Sequence, residues 1–103
     1  MISRIWHGWT TYENAGEYQR FVQTEVLPSI AARQIEGYRG AHLIRRELRE
    51  EVEFVTILWF DSLAAVLEFA GQDYEEAYVP DRARQLLSHF DARSAHYETL
   101  LTP

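Results

Sequence analysis

Phe54-Val55-Thr56-Ile57-Leu58-Trp59-Phe60 carries no charge and reads as a strand. Successive side chains of a strand point to opposite faces, so Phe54, Leu58 and Phe60 form one row and Val55, Ile57 and Trp59 the other. Both rows are apolar, and both faces therefore require cover. A chain of 103 residues supplies helices for one face. Burying each of Val55, Ile57 and Trp59 is worth roughly 1.5–3 kcal/mol. Left in water, they form an apolar patch larger than monomers usually carry. The spare face thus predicts a homodimer, with a closed two-fold pair as the commonest solution.

Outward from this strand, the elements follow local signals. Ile2 to Thr10 reads as a first strand. Asn14, with Glu17 three residues on, forms a capping-box signal, and Tyr18, Phe21, Val22 and Val26 share one helical face. Pro28 predicts a kink or restart before the helix runs on to Gln34, and Gly37 closes the region. Tyr38 to Leu48 is a second strand, turning at Arg49-Glu50 into the third, Val52 to Asp61. Ser62 caps a helix with Leu63, Val66, Leu67 and Ala70 on one side, stopped by Gly71. Pro80-Asp81 opens a short helix with face Ala83, Leu86, Leu87 and Phe90, and Ala92 to Leu101 is the last strand.

The order βαββαβ predicts an α+β, ferredoxin-like fold. Right-handed crossovers put the helices on one face of a four-stranded antiparallel sheet of order 4-1-3-2. The length suits a single domain over residues 1–103. No cysteine is present, which excludes disulfides and thiolate chemistry. No apolar run reaches the roughly 20 residues of a membrane span, and no secretory signal opens the chain. Cytoplasmic localisation without membrane association is the expectation. The net charge is -6, and the ten basic residues, all arginine, are scattered, which argues against nucleic acid as a partner.

Five stretches are similar to the antibiotic biosynthesis monooxygenase-like family of the dimeric α+β barrel superfamily. They are Met1 to Thr10, Val26 to Ile30, Gly37 to Ala41, Phe54 to Ser62 and Ala95 to Glu98. The resemblance implies a homodimer with a pocket between sheet and helices. It also implies oxidation of an aromatic, polyketide-like molecule by O2 without metal or flavin, so no cofactor is expected. The same fold also hosts non-catalytic ligand-binding or accessory dimers, and cyclase, isomerase or decarboxylase chemistry, and these remain alternatives. A haem-degrading branch uses an Asn on the first strand, a Trp ending the third and a His in the next helix. Here those positions hold His7, Phe60 and Ala70, with Trp59 one residue out of step. The resemblance therefore points away from haem.

His7 lies between Trp6 and Trp9 in a central strand, and its row is Ile5, His7, Trp9. Placed toward the helices, that row lines a pocket and makes His7 a catalytic base; otherwise it is a histidine satisfied by its neighbours. His96, in the last strand beside the first, is a second catalytic candidate. Trp9, Phe60, Tyr74 and Tyr78 are candidates to stack on an aromatic substrate, or to serve core and dimer packing. Trp59 belongs to the dimer face. Arg4, opposite to His7 in parity, is expected to pair with Glu53. His42 and His89 read as structural, the latter near a helix end. The histidine spacing matches no metal-ligand pattern.

Overall fold

A computed structural model describes residues 1–103. β1 (Ile2–Thr10) leads into α1 (Tyr12–Phe21), a π-helical segment (Val22–Val26) and α2 (Leu27–Ala32). β2 (Tyr38–Glu47) and β3 (Val52–Phe60) form a hairpin, followed by α3 (Leu63–Ala70), α4 (Asp81–Leu86), β4 (Leu87–Phe90) and β5 (Ala95–Glu98). The antiparallel sheet has order β2-β3-β1-β4, with β5 also on β1. This is the ferredoxin-like α+β arrangement, and its fourth strand position is shared by two short strands. β4 borders Gly8 to Thr10 and β5 borders Ile2 to Ile5.

That division corrects the expected last helix and last strand. Leu86, Leu87 and Phe90 satisfy helical spacing, but Leu87 already has extended dihedrals (φ −82°, ψ 137°). The free edge of β1 decides the matter. Its backbone groups need partners, and a strand from Leu87 to Phe90 supplies them. His89 consequently stands on a strand and not at a helix end.

The first helical region is continuous through Pro28. Proline has no N–H and its ring crowds the carbonyl four residues back, that of Thr24. The helix responds by widening, and the Leu27 N–H bonds the Val22 carbonyl, five residues earlier. Thr11, one turn ahead of the expected cap, takes the N-cap position, its Oγ1 accepting from the Asn14 N–H at 3.2 Å. Asn14 instead donates from Nδ2 to the Leu86 carbonyl at the end of α4. Ser62 caps α3 as expected, and Gly71 (φ 85°) ends it.

The β1–β3 register runs from Ile2 opposite Phe60 to Thr10 opposite Val52. On the helix side of β3, Val52, Phe54, Leu58 and Phe60 are buried in two adjoining core clusters, with Tyr18, Val22 and Leu86 in one and Ala65 and Val66 in the other. On the other side, Val55, Ile57 and Trp59 are half-exposed, alongside Ile5 and the 51% exposed Ile44. No helix covers this outer face.

Gly37 locks the turn into β2. Its φ is +92°, and a Cβ there would sit 2.9 Å from the Ala65 Cβ. Gly37→Ala therefore combines a strained backbone with an overpacked contact, and the expected loss is about 2 kcal/mol, read by denaturant unfolding.

Candidate functional site

A cavity of about 630 Å³ lies between the helix side of the sheet and the helices. Its sheet wall is Arg4 and Trp6 of β1 with Thr56 and Leu58 of β3. Tyr18, Phe21, Val22, Val26 and Ile30 form the helical wall, while Phe69 and the Glu76–Pro80 stretch close its sides. The widened turn before Pro28 brings Val22, Glu25 and Val26 to the cavity. Four charged residues line it: Arg4, Glu25, Arg33 and Glu76. Arg4 alone is buried, at 6% exposure, and the others are exposed.

The register settles which residues of β1 reach this space. Paired residues on neighbouring strands share a face. Arg4 is opposite Leu58 and Trp6 is opposite Thr56, so both point toward the helices. His7 is opposite Val55 and Trp9 opposite Glu53, so both lie on the outer face. The expected placement of the His7 row toward the helices is thus reversed. His7 Nδ1 meets Glu53 Oε2 at 2.8 Å, and Arg46 Nε donates to Glu53 Oε1 at 2.5 Å. These two hydrogen bonds, Arg46 first and His7 second, hold the Glu53 carboxyl below its usual range. Arg4 is not the partner of Glu53. Trp9 stacks on His89 with ring centroids 4.5 Å apart, and His42 packs edge-on against Trp59 at the same separation.

The other expected site residues divide. Phe60 faces the helices but is wholly buried in the core, outside the cavity lining. Tyr78 lines the cavity at its rim and is 85% exposed. Tyr74 does not line it, yet it holds a residue that does: its carbonyl accepts from Arg4 Nη1. His96, paired with Arg4 across β1 and β5, meets the same Nη1 through Nε2 at 3.0 Å.

This last contact defines a proton position. A guanidinium only donates, so His96 Nε2 accepts and the ring carries its hydrogen on Nδ1. Nδ1 is buried without a hydrogen-bond partner, 3.6 Å from Glu75 Oε2. Burial first, and the charge of Arg4 second, push the His96 pKa below its ordinary value, with Glu75 opposing. Burial also lowers the Arg4 pKa, again opposed by Glu75. Glu75, His96 and Arg4 thus form a chain from the half-buried linker to the cavity wall. Arg4 was the residue that sequence reasoning missed. The available signal was a charge near the start of a central strand, set between Ile2 and Trp6 on its own face.

Tyr18 supplies a second polar group. It is buried, and burial pushes its phenol up to about 12, so it enters the cavity as a neutral hydroxyl.

No family model matches the chain, and no curated protein does. Solved structures do match. A Bacillus cereus protein described as a candidate antibiotic biosynthesis monooxygenase superimposes with a TM-score of 0.65 at 14% identity, covering 99% of this chain and 95% of that one. The haem degrader MhuD of Mycobacterium tuberculosis, solved with two haems in its active site, gives 0.60 at 18% identity, covering 100% and 99%. An uncharacterised NIPSNAP domain protein of Burkholderia xenovorans gives 0.59 at 19% identity, with the same coverage. The chain therefore has the ferredoxin-like fold of antibiotic biosynthesis monooxygenase-like proteins. No helix is long and apolar enough to cross a membrane.

A histidine kept neutral by the fold binds protons more readily once unfolded. Its contribution to stability is complete above the unfolded value of 6.5 and is lost as pH falls from there toward the lowered native value. Wild-type protein is expected to lose melting temperature relative to His96→Gln as pH falls from about 7.5 to about 5.5. Parallel melting profiles for the two proteins across that range would remove His96 from the account.

Proposed function

We propose that this chain binds a planar, mainly aromatic small molecule in the cavity between sheet and helices and oxidises it with O2 in the manner of a cofactor-independent monooxygenase. One observation carries the reading: a cavity of about 630 Å³ bordered by Trp6, Tyr18, Phe21 and Phe69. Aromatic walls suit a flat apolar guest, and a cavity of this size lies within the range of small-molecule sites. The reaction balances without an added reductant. A ring methylene and O2 give a ring carbonyl and water, with the substrate supplying all four electrons.

Haem fits this cavity less well. No histidine lines it, and Ala70 stands where the resemblance places the ligating His. Tyr18, held protonated by burial, is a poor source of a phenolate ligand. A second reading, a non-catalytic binding protein, is favoured by the position of His7 on the outer face, which leaves the cavity without an imidazole base.

Oxygen uptake with a panel of hydroxylated polycyclic aromatics separates the two. The expected result is one O2 consumed, and one water released, per quinone formed. Ala70→Trp, which fills the cavity, should lower the rate at least tenfold while the protein stays folded. Quenching of tryptophan fluorescence by the same compounds without O2 consumption would support the binding protein.

The proposal includes a homodimer that covers the outer face. Ile5, Ile44, Val55, Ile57 and Trp59 form its apolar centre, and His7, Glu53 and Arg46 one side of it. Sedimentation equilibrium is expected to give twice the 12.1 kDa of one chain. Ile57→Lys should shift it to the monomer, because an ammonium in that seam is buried without a counter-charge. A folded wild-type monomer at micromolar concentration would end this part of the proposal.

A further inference from the structure

We infer that the cavity selects a ligand bearing a permanent carboxylate on its apolar body, and that Arg4 is the group that binds it. This rests on the reading of the cavity as a small-molecule site and names the class of molecule it takes.

A buried guanidinium ordinarily has a carboxylate against it. Arg4 has none. Its contacts are the carbonyls of Tyr74 and Glu76, the latter at 3.5 Å from Nη2, the imidazole of His96 at 3.0 Å and the face of Phe69 at 5.4 Å. Every one of these partners is uncharged. They orient the cation without neutralising it. The acid on the neighbouring linker, Glu75, makes its close contacts with His96 and Arg93, at 3.6 Å each.

The hydrogen-bond count points the same way. Nη1 has two hydrogens and two acceptors, Tyr74 and His96. Nη2 has one long contact, and Nε has no acceptor at all. Nε and Nη2 make one edge of the planar fork, the edge whose spacing matches the two oxygens of a carboxylate. Arg4 lines the cavity with this capacity unspent. His96 and Tyr74 are positioning residues, since they saturate Nη1 and leave the other edge available. The remaining charges of the cavity, Glu25, Glu76 and Arg33, are solvent-exposed and weakly felt at depth.

Naphthalene-2-carboxylate and its neutral amide serve as probes, titrated calorimetrically into the wild-type protein. The carboxylate is expected to bind at least about tenfold more tightly than the amide, as a charge-assisted bidentate contact requires. Arg4→Gln should abolish that preference and leave amide binding within about threefold of wild type. Arg4→Lys, with charge but no fork, should keep part of it. Ala70→Trp should weaken both probes.

Equal wild-type affinity for the two probes would overturn the carboxylate assignment and leave the cavity reading intact. A preference that survives in Arg4→Gln would assign the anion to another group. Failure of both probes to bind at millimolar concentration would overturn the assignment and the cavity reading together. If Arg4→Gln does not fold, the wild-type comparison still decides the carboxylate preference, and a preference undiminished in Arg4→Lys would remove Arg4 as the group that binds it.

Discussion

The pairing of β1 with β3 governs everything the molecule presents. Ile2 lies opposite Phe60 and Thr10 opposite Val52, nine consecutive pairs without a bulge. A slip of one residue would turn Arg4 and Trp6 outward and His7 and Trp9 inward. Both faces resist such a slip. Inside, Val52, Thr10 and Phe60 are completely buried. Outside, Trp59 Nε1 donates to Ser3 Oγ at 3.0 Å, and His7 reaches Glu53 at 2.8 Å. Apolar burial and specific polar contacts thus select the same alignment.

That alignment sorts the charged groups into two settings with opposite energetics. On the outer face, Glu53 is buried but answered by Arg46 and His7, and its ionised form is favoured. On the inner face, Arg4 is buried among carbonyls and rings, and burial outweighs the distant help of Glu75. An unanswered buried cation costs stability. The aromatic residues divide in the same way. Trp6, Tyr18, Phe21 and Phe69 face the cavity, while Trp9 and Trp59 pack on the outer face with His89 and His42.

Local rules carried much of the fold. The Ser62 cap, the Gly71 stop, the turn at Arg49-Glu50 and the alternation along β3 each depend on contacts a few residues apart, and each lies where its residues put it. Departures occur where a distant group competes. Asn14 left the cap of α1 to Thr11 because the end of α4 offered it a carbonyl. Leu87 to Phe90 left the helix because the edge of β1 lacked partners. Pro28 did not break its helix, because one widened turn relieved the clash and kept Val22 and Val26 against the sheet. The candidate site was legible only in part. Tyr78 and His96 stand at or beside the cavity, whereas His7, Trp9 and Phe60 do not line it.

The sequence by itself determined the element order as far as α3, the Ser62 cap and an apolar third strand that demands cover on both faces. These follow from spacing and from residue chemistry over short distances. The tertiary structure decided which row of β1 meets the helices. Both rows of that strand mix apolar and polar residues, Ile5, His7 and Trp9 against Arg4, Trp6 and Gly8, so its own pattern names neither as the inner one. The choice came from hydrogen-bond pairing with β3, whose buried row is unambiguous, and it placed an arginine rather than a histidine beside the cavity.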